Sequence, residues 1–170
     1  GFQPDFPAEA DAELKSIAAA PALPAVSGAK DLRNLLWSSI DNDTSKDLDQ
    51  IEWAEQLPDG RIRVLVGVAD VDVRVSRATA LDKHAASQTT SVYTGVVVFP
   101  MLPTKLSEGI TSLNENEDRA ALVVEFCVDK DGSVSNGKAY RAFVRNQAQL
   151  AYSSVGAWLE GKGPAPEKIA

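Results

Sequence analysis

The sequence predicts an α+β fold in which helices surround a mixed, mainly antiparallel β-sheet. Residues 61–71 are rich in β-branched side chains and apolar on both faces near their end, which is typical of a central strand. Asp59-Gly60 and the segment 129–132 are turn signals between β-like segments, and each predicts a hairpin. Helix-prone segments occur among these strands without regular alternation, so the sheet is expected to be mixed.

Residues 1–30 are predicted to form a helical segment, over residues 8–20, followed by a linker. Pro21 and Pro24 end the helix because proline cannot continue the backbone hydrogen bonding of a helix. The remaining residues, 31–170, suit one domain of ordinary size. Hydrophobic residues make up 44% of the chain, which is enough to build its core.

Further strands are predicted around the turns. Residues 37–41 are expected to lead into an acidic loop, and residues 50–57 to return from it. Residues 96–99 form another expected strand, which the following proline stops. The second hairpin is expected to join residues 120–128 to residues 133–145.

Two more helices are predicted in the second half of the chain. Residues 79–89 have a helical pattern, and His84, the only histidine, is expected on the surface of that helix. Asn146 is expected to cap a final helix over residues 147–160, with Gly161 just past its end.

Charge is distributed unevenly along the sequence. The net charge is −7; residues 1–60 carry 12 acids and 4 bases, whereas residues 61–170 carry 12 acids and 13 bases. This balance argues against nucleic-acid binding by bulk electrostatics, since phosphate neutralisation needs clustered Lys and Arg. Nucleic-acid binding would therefore need metal ions, a small basic patch or a basic region outside this sequence.

Four aspartates, Asp41, Asp43, Asp47 and Asp49, lie within nine residues. Like charges this crowded repel one another, so the folded chain must hold them in water or neutralise them with cations. Oxygen ligands without His or Cys nearby favour Mg²⁺, Mn²⁺ or Ca²⁺ over zinc. The acidic run is therefore the strongest functional signal in the chain.

One interpretation of the acidic run is a calcium loop over residues 41–52. Oxygen ligands fall at the positions expected for such a loop, which are Asp41, Asp43, Ser45, Asp47, Asp49 and Glu52. However, Lys46 occupies the position where a sharp turn needs glycine.

A second interpretation is a metal-dependent phosphoryl-transfer site, in which carboxylates hold divalent ions that activate water and stabilise the leaving oxygen. Asp47 and Asp49 are two residues apart, so in an extended segment both carboxylates point the same way. A solvated acidic loop explains the spacing equally well.

A series of short motifs extends from Asp31 to Trp158. In chain order they are Asp31-Leu32-Arg33, Ser39-Ile40-Asp41, Asp47-Leu48-Asp49, Val68-Ala69-Asp70-Val71, Leu81-Asp82, Thr90-Ser91-Val92-Tyr93, Pro100-Met101-Leu102-Pro103, Leu106-Ser107, Ser112-Leu113, Arg119 and Leu150-Ala151-Tyr152. In this order they resemble the ribonuclease II/ribonuclease R family, whose catalytic RNB domain degrades RNA from its 3′ end. The chain would then be the N-terminal half of such a domain.

The resemblance implies that Asp41, Asp47 and Asp49 are active-site carboxylates that hold Mg²⁺, or Mn²⁺, at the scissile phosphate. The family has a further aspartate after Asp49, whereas this chain has Gln50. The Gln50 carbonyl can bind a hard cation but carries no charge, and Asp43 could offset that loss if the loop turned it inward.

The same resemblance implies three contacts to single-stranded RNA. Tyr93 matches a tyrosine that stacks on bases, and stacking contributes about 1–3 kcal/mol per base whatever the sequence. Tyr152 matches a tyrosine that helps to recognise RNA, for which the 2′-hydroxyl is the distinguishing group. Arg119 could contact phosphate, although a structural salt bridge explains it equally well.

The function implied is a 3′-to-5′ exoribonuclease that releases nucleoside 5′-monophosphates; a noncatalytic RNA-binding relative is the alternative because of Gln50. The resemblance also implies that a second half of the domain, with a catalytic arginine, is needed for activity. A monomer is expected. No segment is apolar enough to cross a membrane and Cys127 is the only cysteine, so a cytoplasmic protein is expected.

Overall fold

The computed structural model describes residues 3–20 and 23–169, so part of the predicted linker lies outside the described residues. The α+β class is confirmed. In chain order the elements are α1 (Ala8–Ala19), β1 (Lys30–Asp31), β2 (Trp37–Asp41), β3 (Gln50–Gln56), β4 (Ile62–Ala69), α2 (Ala80–Gln88), β5 (Val92–Tyr93), β6 (Val98–Phe99), β7 (Asp118–Val128), β8 (Val134–Ala151) and α3 (Tyr152–Leu159). A π-helical segment, Lys105–Ile110, and two short 3₁₀ turns, Val71–Val73 and Glu167–Ile169, complete the described chain.

Six strands form the main sheet in the order β1-β8-β2-β3-β4-β7, and β7 also pairs with β8. The pairings of β8 with β1 and β2 are parallel, and the others are antiparallel, as predicted for a mixed, mainly antiparallel sheet. The strand β8 spans 18 residues, which lets its first part pair with β7 and its last part with β2. The sheet therefore curls back on itself around a core.

The side chains inside the curled sheet are almost entirely excluded from solvent. They are Trp37, Leu48, Ile51, Leu65, Leu113, Ala121, Val123, Ala142 and Val144. Gly67 makes room for this packing, because a Cβ there would lie 3.2 Å from the Ile51 side chain and 3.6 Å from the Trp37 ring. Trp37 also donates a hydrogen bond of 2.8 Å to the carbonyl of Leu32, so its polar atom is satisfied inside the core.

Both hairpin predictions are confirmed. The Asp59-Gly60 turn joins β3 to β4, and Gly60 has a φ of +85°, which glycine adopts without strain. The segment 129–132 joins β7 to β8 in the same way. The predicted strand over residues 96–99 is shorter in the structure, because residues 94–97 form the turn of a two-stranded ribbon made by β5 and β6.

The prediction of a helix over residues 147–160 is wrong at its start. The strand β8 continues through Asn146 to Ala151, and α3 begins at Tyr152. Asn146 is buried and does not cap a helix; its amide donates to the Ser39 hydroxyl and to a backbone carbonyl, both at 3.0 Å. The helix ends before Gly161, as predicted.

A second cluster of apolar side chains packs α1 against α2. It contains Ala10, Val75, Leu81 and Leu106 as its buried members. His84 is also buried, with 4% of its surface exposed, and its ring lies 4.4 Å from the ring of Phe6. The prediction that His84 is a surface residue is therefore wrong, because α1 covers the face of α2 that carries it. No helix in the described ranges is long and apolar enough to span a membrane.

Candidate active site

The acidic loop, residues 42–49, connects the end of β2 at Asp41 to the start of β3 at Gln50. Strands therefore flank the loop, whereas a calcium loop of the type considered above lies between two helices. Lys46 already disfavoured that alternative, and the structure lacks the helix–loop–helix frame on which it depends.

Contacts from two distant segments hold the acidic loop in place. The Ser112 hydroxyl accepts a hydrogen bond of 3.0 Å from the amide of Leu48 and donates one of 2.8 Å to the carbonyl of Lys46. From β8, the Gln149 side-chain amide donates to the carbonyl of Ser45 at 3.0 Å. The Leu48 side chain is fully buried in the core. The loop is thus fixed by the fold, unlike a freely solvated charged loop.

Asp41, Asp47 and Asp49, here called the carboxylate cluster, act on one another electrostatically. Burial raises the pKa of Asp49 above its ordinary value, and the charges of Asp47 and Asp41 raise it further. Burial and the charge of Asp47 likewise raise the pKa of Asp41. Within the described ranges, no member of the cluster forms an ion pair with a cationic side chain. The cluster is therefore a region of unbalanced negative charge.

The donor chemistry of this cluster fits a hard divalent cation. Among the described residues no three His, Cys, Asp or Glu side chains are grouped closely enough to hold a metal alone. Mg²⁺ usually keeps several water ligands and binds through one or two carboxylates together with substrate phosphates, so such a closed group is not required. Asp41, Asp47, Asp49 and the Gln50 carbonyl are the oxygen donors available to it.

Tyr93 lies beside the cluster. Its hydroxyl donates a hydrogen bond of 2.9 Å to Oδ2 of Asp47, which raises the pKa of the tyrosine. The side chain is nevertheless 67% exposed, so most of its ring is available to a ligand. The hydroxyl is thus held in place while the aromatic face remains open to solvent.

Tyr152 is the first residue of α3 and is 56% exposed. It lines a cavity of about 420 Å³ together with Gln50 and Glu52, and the rest of the lining consists of Ile40, Val155, Gly156 and Leu159. Burial, and then the charge of Asp41, raises the pKa of Glu52. The structure thus places Tyr152 and Gln50 at one cavity, which adjoins the residues on either side of the acidic loop.

The guanidinium of Arg119 is occupied by contacts within the protein. Its guanidinium donates to the carbonyls of Ser112 at 2.8 Å, Gly109 at 2.9 Å and Asp118 at 3.0 Å, and it pairs with the carboxylate of Glu117. Only 11% of the side chain is exposed. These contacts support the structural alternative to the predicted phosphate contact.

Asp43, suggested as an auxiliary carboxylate, is exposed. It lines a cavity of about 260 Å³ with Glu115, Gln149 and Lys168.

Two residues that support the acidic loop, Ser112 and Gln149, could not be identified from the sequence, because they lie more than 60 residues away from the loop in the chain.

Comparison with known proteins gives a consistent result. The chain matches the RNB domain family over residues 29–170. It is 37% identical to Ribonuclease R of Thermotoga maritima over 156 residues, which are 92% of this chain and 22% of that protein. It is 34% identical to Exoribonuclease 2 of Salmonella newport over 145 residues, which are 83% of this chain and 21% of that protein.

A solved structure of Mycoplasma genitalium RNase R in complex with ribose-methylated single-stranded RNA has the same fold. The TM-score is 0.82 with 28% sequence identity, over 97% of this chain and 26% of that chain. The chain belongs to the RNB domain family. It spans about a fifth of the length of the curated relatives described above.

Proposed function

We propose that the protein containing this chain is a 3′-to-5′ exoribonuclease that hydrolyses RNA phosphodiesters and releases nucleoside 5′-monophosphates. The observation that carries the proposal is the carboxylate cluster. Hydrogen bonds to the acidic loop hold it in place, and the cluster lies beside the exposed ring of Tyr93. The names of the relatives, Ribonuclease R and Exoribonuclease 2, support RNA as the substrate.

In this proposal Asp41, Asp47, Asp49 and the Gln50 carbonyl hold Mg²⁺, or Mn²⁺. The bound metal would supply an activated water and stabilise charge on the leaving oxygen. The protein's own contribution is to hold the carboxylates near one another, although burial and then their mutual repulsion raise the pKa values of Asp41 and Asp49. The contacts of Ser112 and Gln149 with the loop oppose that repulsion.

Tyr93 and Tyr152 are the proposed contacts to single-stranded RNA. The exposed ring of Tyr93 would stack on a base near the cluster, and Tyr152 would face the ribose from the cavity it shares with Gln50. Arg119 is omitted from this set because protein acceptors occupy its guanidinium.

The remaining parts of the proposal concern the whole protein. Residues 1–30 would precede the catalytic domain and residues 31–170 would form its N-terminal half. A second half of the domain would supply the arginine that stabilises transition-state charge, which is usually a large contribution in phosphoryl transfer. The protein would act as a monomer in the cytoplasm.

A rate assay on 3′-labelled RNA tests the proposal. The full-length protein should release label with Mg²⁺ or Mn²⁺, and an Asp49→Asn variant should lose most of that rate. Asp5→Asn removes an exposed charge from the N-terminal segment and should leave the rate unchanged. Equal rates for the wild type and Asp49→Asn would refute the enzymatic role.

A noncatalytic RNA-binding protein is the second candidate, because Gln50 lacks the charge that the family resemblance implies at this position. It predicts RNA binding without turnover by the wild type. Turnover by the wild type separates the two candidates, and if the protein is an enzyme the Gln50→Asp variant should in addition gain metal affinity and keep its rate.

A further inference from the structure

The ribbon formed by β5 and β6 is short and exposed. Only two residue pairs join its strands, Val92 with Phe99 and Tyr93 with Val98. Val96, at its tip, is 95% exposed. A two-stranded ribbon of this size is marginal in water by itself, so its position depends on contacts with the rest of the protein.

One of these contacts joins the ribbon directly to the carboxylate cluster. The Tyr93 hydroxyl donates to Oδ2 of Asp47 at 2.9 Å. At the base of the ribbon the Ser91 hydroxyl accepts a hydrogen bond of 2.9 Å from the amide of Met101, and it also interacts with the Tyr93 hydroxyl. The outer part of the ribbon is thus connected to the acidic loop through a hydroxyl and a carboxylate oxygen.

We infer that Tyr93 is a positioning residue for Asp47, so that base stacking and cation binding at the cluster are coupled through their hydrogen bond. This inference rests on the proposed function wherever it concerns a cation or RNA. The hydroxyl holds one oxygen of Asp47 and leaves the other oxygen to a cation. Partners of this kind orient a ligating carboxylate, and their loss typically costs about 10–100-fold in metal affinity.

The coupling acts in both directions. A cation that fixes the Asp47 carboxylate also fixes the acceptor of the Tyr93 hydroxyl, and therefore the ring on which a base would stack. Conversely, a base stacked on Tyr93 holds the hydroxyl against Asp47. Thermodynamic linkage requires that the cation strengthen RNA binding by the same factor by which RNA strengthens cation binding. Stacking alone would need only the ring, which a phenylalanine also provides.

Hydrogen exchange of the full-length protein without metal tests the connection independently of catalysis. The Tyr93→Phe and Asp47→Ala variants should each speed amide exchange over residues 92–99, and the double variant should show no further increase. Tyr140→Phe removes a hydroxyl that donates to another carboxylate, Glu125, and should leave the ribbon unchanged. Unchanged exchange in Tyr93→Phe, or additive effects in the double variant, would overturn the inference.

Calorimetry with Mn²⁺ and steady-state kinetics test the positioning role. Tyr93→Phe should bind Mn²⁺ about 10–100-fold more weakly than the wild type, and Tyr140→Phe should bind it equally. At saturating Mn²⁺, Tyr93→Phe should lower kcat, and its KM for RNA should respond less to the Mn²⁺ concentration than that of the wild type, because the hydroxyl that couples the two ligands is absent. Equal Mn²⁺ affinity for the wild type and Tyr93→Phe contradicts the inference. If exchange and Mn²⁺ binding behave as expected but no RNA is degraded, the proposed function fails and the inference stands.

Discussion

The amide of Leu48 donates a hydrogen bond of 3.0 Å to the hydroxyl of Ser112. Leu48 separates Asp47 from Asp49, so this contact fixes the backbone between two members of the carboxylate cluster. Both Leu48 and Ser112 are almost fully buried. The members of the carboxylate cluster are therefore positioned by the hydrophobic core, through the apolar residue between them.

Ser112→Ala should weaken both stability and activity. The buried amide of Leu48 would lose its acceptor, and an unsatisfied buried donor costs about 1–3 kcal/mol. Urea unfolding should show that decrease, and the rate of RNA degradation should fall because the loop is less constrained. Ser153→Ala, on the exposed face of α3, is the control and should change neither. If Ser112→Ala were as stable as the wild type, the hydrogen bond between Leu48 and Ser112 would not contribute to the stability of the fold.

Asn146→Ala should be among the more damaging changes to a polar residue. Its side chain connects β2, through Ser39, to the carbonyl of Leu113, and it accepts the amide of Ala148 at 3.2 Å. Removing the amide leaves these buried groups without partners, and each costs about 1–3 kcal/mol. The free energy of unfolding measures the loss. A loss within the ~0.5 kcal/mol typical of surface substitutions would contradict this role.

Asp49→Asn should stabilise the metal-free protein at neutral pH. The folded-state pKa of Asp49 lies above its ordinary value of 3.8, so the stability that it contributes is fully present below that pH. This stability is lost as the pH rises through the folded-state pKa. The melting temperature of Asp49→Asn should therefore exceed that of the wild type at pH 7 and approach it at pH 3.

Asp131→Asn is a control for which the change in melting temperature should have the opposite sign. Hydrogen bonds from the backbone and side chain of Ser133 lower the pKa of Asp131, so its charged form is favoured in the folded protein. Its substitution should lower the melting temperature at pH 7. If Asp49→Asn also lowered the melting temperature of the metal-free protein, burial and the neighbouring charges would not disfavour the ionised form of Asp49.

Arg119→Ala should destabilise the fold without changing the electrostatics of RNA binding. Three carbonyls and Glu117 would lose their partner. A phosphate contact to single-stranded RNA would instead appear in the slope of log affinity against log salt, which changes by about 0.7 per contact. We expect the slope for Arg119→Ala to equal that of the wild type, and a shallower slope would restore the predicted RNA contact.

The strands before and after the acidic loop could be predicted because their signals are local. Alternating or β-branched segments and the Asp59-Gly60 turn determine pairing between neighbours in sequence. The short polar side chain of Asn146 suits a helix cap, so the sequence predicts that position for it. Its actual partners, Ser39 and Leu113, are 107 and 33 residues away, and no local pattern reveals them.

In the candidate site, too, local features could be predicted from the sequence, whereas contacts between distant residues could not. The carboxylates can be predicted because they lie within nine residues of the chain, and Tyr93 because of its motif. The supports of the loop, Ser112 and Gln149, could not be predicted because the fold alone brings them to it. The burial of His84 is likewise a tertiary effect, since Phe6 and α1, both from the N-terminal segment, pack against α2.

The most direct test of the central claim is a time course on single-stranded RNA labelled at its 5′ end, with the full-length protein and Mg²⁺ or Mn²⁺. The account predicts a ladder of progressively shorter labelled fragments and nucleoside 5′-monophosphates as the released product, both abolished by Asp49→Asn and by chelation of the metal. Intact RNA at all times, or an identical ladder from Asp49→Asn, would contradict it.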